Sequence, residues 1–173
     1  MPDHALELSF DPASERDVVA QWEALRAAGL PSQAEHRSMT NAPHLTLAAA
    51  SPIDPAVVAP AVDLVGPLLP ATLSVRGLLV LGTGPRVTLA HLVEPEAALA
   101  AAVARLRALV PGLRHPVWTP HVTLARRIPR HRLGEALAVL DGGPPVREIV
   151  ADRLRWWDPE RELIETVARG PVA

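Results

Sequence analysis

The sequence predicts a fold of alternating strands and helices, one unit written twice, with two halves sharing one cleft. Three observations predict it. Residues 42–48 read APHLTLA and residues 119–125 read TPHVTLA, identical at five of seven positions. The predicted elements around each heptapeptide run in the same order: strand, helix, heptapeptide strand, helix, strand. No stretch has the composition of an interdomain linker, so the halves, roughly residues 1–81 and 82–173, are expected to form a single bilobal domain. A chain of 173 residues is long enough to bury a proper core.

Each element has its own signal. His4 to Phe10 places Leu6, Leu8 and Phe10 on alternate positions and reads as a strand. Ser14 offers an N-cap with Asp17 three residues on. Val18, Trp22 and Leu25 follow at helical spacing, and Gly29-Leu30-Pro31 stops the helix. A polar loop from Ser32 to Asn41 leads into the first heptapeptide. Asp54-Pro55 opens a second helix with Val57, Val58, Ala61, Val62 and Val65 in phase, which Pro60 is expected to kink or split. Residues 72–81 and 86–93 read as strands joined by Gly82-Thr83-Gly84-Pro85. A third helix starts near Pro95 with Leu99, Val103, Leu106 and Val110 on one face and stops at Pro111-Gly112. After the second heptapeptide come a helix over 130–141 and two strands, about 146–157 and 161–169.

Composition narrows the function. There are no cysteines, which excludes disulfides, thiolate metal sites and a cysteine nucleophile. No run reaches the ~18 uncharged, predominantly apolar residues of a membrane span. The opening MPDHALELSFD lacks a basic region and does not read as a secretion signal, so a cytoplasmic protein is expected. A net charge of −2 argues against coating DNA or RNA broadly, while a local site for one phosphate is compatible with it. All 17 basic residues are arginine, which reads mainly as a base-composition effect.

The heptapeptides carry the chemistry. A strand period of two puts His44 with Thr46, and His121 with Thr123, on one face, while Leu45, Leu47, Val122 and Leu124 anchor the other. One His-x-Thr is usually a strand with a satisfied polar face. Two copies, each preceded by proline, in segments that have otherwise diverged, point to function, because packing does not explain retaining polar residues. Hydrolysis of a cyclic phosphodiester needs a base for water and an acid for the departing ribose oxygen, on opposite sides of phosphorus. Imidazole does either job near neutral pH. Threonine hydroxyls can donate to the non-bridging oxygens. This chemistry requires no metal and no cofactor.

At Pro43-His44-Leu45-Thr46-Leu47 and Pro120-His121-Val122-Thr123-Leu124-Ala125-Arg126 the chain resembles the two-histidine (2H) phosphoesterase superfamily. The similarity is to its 2′-5′ RNA ligase-like, or RNA 2′,3′-cyclic phosphodiesterase, branch. The resemblance implies an α+β fold, bilobal and pseudo-two-fold, with antiparallel sheets lining a central cleft and helices outside. It implies that His44 and His121 are catalytic, as acid and base respectively, with Thr46 and Thr123 holding phosphate. The first motif departs from the family's frequent aromatic-Leu-Gly turn and runs Ala48-Ala49-Ala50-Ser51.

Arg126 is a substrate-binding candidate on the resemblance, although strand parity places it with Val122 and Leu124 and gives Arg127 the better orientation. Trp118 and Trp157 are candidates for stacking on a base, with core or hairpin packing as the competing reading. No HExxH or His-x-His spacing supports a metal site. The expected activity is metal-independent hydrolysis of an RNA 2′,3′-cyclic phosphate or a small cyclic nucleotide, with 2′-5′ ligation as the same chemistry reversed. The alternative is a nucleotide- or RNA-end-binding module that keeps the phosphate pocket without turnover.

Overall fold

The computed structural model describes residues 3–36 and 41–171, so part of the polar loop, 37–40, lies outside the described residues. The elements are β1 (His4–Phe10), α1 (Pro12–Ala27), β2 (His44–Ala50), α2 (Val58–Val65), β3 (Ala71–Leu81), β4 (Arg86–Pro95), α3 (Ala97–Ala108), β5 (His121–Pro129), α4 (Leu133–Asp141), β6 (Glu148–Asp158) and β7 (Leu163–Arg169). Their order, β1-α1-β2-α2-β3 and then β4-α3-β5-α4-β6, is the order expected of each half.

Two helix starts differ from the sequence reading. Asp11, not Ser14, caps α1: its carboxylate accepts from Ser14 N–H at 2.8 Å, and Pro12 fills the first helical position. Ser14 is buried, and its hydroxyl accepts from the Val150 N–H at 2.9 Å, tying α1 to β6. Pro60 does not split α2, which runs unbroken over Val58–Val65. It falls in the helix's first turn, where no N–H has a partner four residues back, while Asp54 caps a separate 3₁₀ turn over Pro55–Val57.

All strands pair antiparallel in one seven-stranded sheet, ordered β1-β2-β5-β4-β3-β6-β7, with β1 also on β6. The pairings therefore close a ring of six strands, with β7 extending one edge of β6. Helix α1 packs on α4 and α2 on α3, over one continuous apolar core. Exchanging each first-half element for its second-half equivalent maps these contacts onto each other: β1–β2 onto β4–β5, β1–β6 onto β4–β3, and α1–α4 onto α3–α2. Strands of the two halves thus interleave rather than forming separate sheets.

The ring has one weak seam. β2 and β5 are joined by a single residue pair, Leu45 with Val122. Both heptapeptides lie at this seam.

Candidate active site

The Leu45–Val122 pair sets the geometry. Antiparallel register puts His44 across from Thr123 and Thr46 across from His121, and strand alternation puts all four on the same face. Diagonal neighbours of this kind lie about 7–8 Å apart at the backbone, a span that one phosphate can fill. The apolar partners Leu45, Leu47, Val122 and Leu124 are buried on the opposite face.

Each imidazole is oriented in the same way. His44 Nδ1 lies 2.8 Å from the Ala42 carbonyl, and His121 Nδ1 lies 2.7 Å from the Thr119 carbonyl. A carbonyl only accepts, so each Nδ1 carries a hydrogen and donates it. Proton exchange is thereby left to Nε2 on both rings. The backbone beyond the histidines is matched too. The Thr46 carbonyl accepts from the Trp118 indole N–H at 3.0 Å, and the Thr123 carbonyl accepts from the Trp22 indole N–H at 3.1 Å. Two indoles thus bond backbone oxygens beside the short ladder.

The shared Leu-Ala ending of the heptapeptides has a structural cause. In β2, Glu7 pairs with Thr46 and Leu6 with Ala48, so Leu47 is an extra residue. In β5, Ala90 pairs with Thr123 and Leu89 with Ala125, so Leu124 is extra. Each strand carries a β-bulge, and Leu47-Ala48 and Leu124-Ala125 are consecutively buried. The bulge reverses parity downstream. It corrects the expected orientation of Arg126, which turns to the His-Thr side and lines a hollow with His44, while Arg127 adopts a positive φ of 62°.

Two adjoining hollows flank Thr46 and Ala49. One, of about 150 Å³, is lined by His121, Trp118, Thr119, Val117, Leu81, His115 and Arg107. The other, of about 370 Å³, holds His44, Glu7, Arg126, Trp157, Arg114 and Asn41 among its walls. Thr46 thus faces both, Thr123 lines neither, and the candidates Trp118 and Trp157 fall on opposite sides. Arg107 pins the wall of the smaller hollow by donating to the Leu47 carbonyl at 2.8 Å and to the His115 carbonyl at 2.5 Å.

Sequence reasoning missed Glu7. Alternation in β1 puts it on the face opposite Leu6 and Leu8, and all seven residues of the strand are buried. Its Oε1 accepts from Arg155, itself buried, at 3.0 Å, and its Oε2 lies 3.4 Å from His44 Nε2. One further His-carboxylate cluster among the described residues, His4, Asp158 and Glu160, includes neither motif histidine. One oxygen of Asp158 there already accepts from the Glu160 and Arg161 backbone N–H groups, and the other lies 3.6 Å from the Arg161 guanidinium.

The fold and the doubled frame define a two-histidine phosphoesterase-type protein, and the comparisons agree. A sequence profile of the 2′-5′ RNA ligase superfamily matches residues 11–162, and the chain belongs to that family. Among solved structures it is similar to Kluyveromyces marxianus Usb1, with a TM-score of 0.59 and 14% identity over 96% of this chain and 98% of that one. It is also similar to E. coli LigT complexed with 3′-AMP, with a TM-score of 0.56 and 14% identity over 95% of this chain and 92% of that one. A structure of K. marxianus Usb1 with uridine monophosphate gives a TM-score of 0.54 at 14% identity, covering 96% of this chain and 98% of that one. Comparison with curated protein sequences gives no significant match. Among the described residues, no helix is long and apolar enough to cross a membrane.

Proposed function

We propose that this protein is a metal-independent cyclic phosphodiesterase acting on an RNA 2′,3′-cyclic phosphate or a small cyclic nucleotide, through His44 and His121. One observation carries the reading. Two imidazoles, each with Nδ1 committed to a backbone carbonyl, stand on one face of the β2–β5 seam with their Nε2 atoms left for proton transfer.

In the proposed step His121 Nε2 takes a proton from water as the water oxygen bonds to phosphorus. The bond from phosphorus to one ribose oxygen breaks in line, and that oxygen takes the proton from His44 Nε2. The product is a phosphomonoester beside a free hydroxyl. Thr46 and Thr123 donate to the non-bridging oxygens, and Arg126, which makes no ion pair among the described residues, supplies positive charge. Trp118 and Trp157, one in each hollow, are the stacking candidates for a base. The exchange-related contacts support a duplicated unit over residues 1–81 and 82–173 as the origin of the paired site. The neighbours solved with uridine monophosphate and 3′-AMP support a nucleotide as ligand, and the cytoplasm is the expected compartment.

The test is incubation with 2′,3′-cyclic mononucleotides and with a short RNA bearing a cyclic end, in the presence of EDTA. Hydrolysis that survives chelation is expected. Binding of both ligands without turnover would favour the binding-module alternative.

A further inference from the structure

The two histidines share one frame but not one electrostatic setting. Under the exchange of halves, Glu7, which pairs with Thr46, corresponds to Ala90, which pairs with Thr123. Only His44 therefore has a carboxylate built in at this position. That carboxylate is buried at 5% exposure and fixed from behind by Arg155, whose own Nε is buried without a partner. Burying such a pair is costly, and hydrophobic residues of similar volume often serve stability as well or better. Its place beside a catalytic candidate offers a reason to keep it.

We infer that Glu7, held by Arg155, is a positioning residue that makes His44 the proton donor and leaves His121 as the base. This rests on the hydrolase reading above. The 3.4 Å separation from His44 Nε2 is long for a strong hydrogen bond but short enough for a charge–charge contact. With Nδ1–H tied to the Ala42 carbonyl, the ring can face Glu7 with Nε2–H only in its protonated form. A lone pair aimed at the carboxylate would be repelled. The other charged groups around this hollow are consistent with that role. Asp3 is paired with Arg114, His36 stands at the rim, and Arg126 reaches in from β5, where a phosphate would neutralise it. The His121 hollow holds Arg107 and His115 and no carboxylate, which suits an imidazole that must accept a proton.

The experiment compares Glu7→Gln with wild type on two substrates: a 2′,3′-cyclic mononucleotide, whose leaving alkoxide needs a proton, and a 2′-deoxynucleoside 3′-(p-nitrophenyl phosphate), which has no 2′-hydroxyl to attack phosphorus and whose nitrophenolate needs no proton. The cyclic substrate should slow by about 10- to 100-fold, by analogy with losing the carboxylate partner of a metal-ligating imidazole. The nitrophenyl ester should change little, and the alkaline limb of kcat/KM on the cyclic substrate should move to lower pH. Ring-nitrogen NMR of His44 gives a readout independent of turnover: its titration midpoint should fall in Glu7→Gln. The double variant Glu7→Gln/Arg155→Gln, which leaves no unpaired buried charge, should behave like the single. Equal slowing on both substrates, or a His44 titration unmoved in both variants, overturns the proposal. If wild type turns over neither substrate, the hydrolase reading fails, and the NMR arm alone decides whether Glu7 holds the His44 proton.

Discussion

The two heptapeptides are the informative comparison, because they share one frame and differ in what flanks it. Both hold Nδ1 on the carbonyl two residues back, give the threonine carbonyl an indole donor and bulge at Leu-Ala. The differences lie just outside that frame. Glu7 stands where the other half has Ala90, and Arg126 where the first half has Ala49. Both charged members fall beside His44. Acid–base hydrolysis needs two like groups in opposite protonation states, and a symmetric site cannot specify which is which. The comparison teaches that the repeat fixes where the groups stand, and that under the proposed chemistry only the flanks could tell the two histidines apart.

The strongest way to break the comparison is to remove the frame's own groups. Replacing either His44 or His121 by alanine should lower kcat on a cyclic mononucleotide by at least ~10²–10⁴-fold, the usual worth of a positioned proton-transfer group. The double variant should be little worse than either single, because the two act as one unit. Thr46→Ala and Thr123→Ala should each cost less, about 2–4 kcal/mol at most of transition-state stabilisation. The structure orders them: Thr46 lines both hollows and Thr123 neither, so Thr46→Ala should be the more damaging. Steady-state kinetics on the four variants checks both statements.

Arg126 sharpens the comparison from the side of charge. Arg126→Gln should raise KM or lower kcat by a total of about 1.5–3 kcal/mol in kcat/KM, the range for a hydrogen bond to a charged group. The loss should shrink at high salt. An Arg126→Gln enzyme with unchanged kcat/KM would show that phosphate is held by the threonines alone.

Much of this was legible in the sequence, and what was not has a common cause. The order of elements and the pairing of His-x-Thr with a buried aliphatic face follow from periodicity, which local residues control. The bulges did not show, because a Leu-Ala step reads as ordinary alternation until the partner strand counts one residue fewer. Arg126 was consequently assigned the wrong parity. Glu7 was hidden for a related reason: alternation in β1 marks a polar face, but it cannot reveal that this face is buried as well as the apolar one. The indoles of Trp22 and Trp118 read as core and stacking candidates, and their bonds to threonine carbonyls depend on contacts 101 and 72 residues away.

Those indoles provide the next test. Trp22 is 3% exposed, so Trp22→Phe removes the indole donor of the Thr123 carbonyl from a buried position and should cost about 1–3 kcal/mol in urea unfolding. Trp118 is only half-buried, so water can replace its N–H, and Trp118→Phe should cost less stability. Equal losses would show that the two seam carbonyls are equally dry.

The last expected effect is a dependence on acid that one half has and the other lacks. His91 on β4 pairs with Val122, the place that Leu8 takes opposite Leu45 in the first half. It is 5% exposed, its Nε2 lies 2.6 Å from Gln21 Oε1, and burial lowers its pKa from 6.5 to about 4. The folded state thus resists a proton that the unfolded chain accepts. The stability that neutral His91 preserves is complete above about 6.5 and is lost as pH falls toward about 4. The slope in that window is at most about 1.4 kcal/mol per pH unit. Urea unfolding at pH 7 and pH 5 should therefore show a larger drop for wild type than for His91→Leu, which gives β4 the residue type that β1 already carries. Groups that titrate identically in both proteins cancel in that difference. An equal drop in the two would mean that His91 is protonated in the fold without penalty, contrary to its burial.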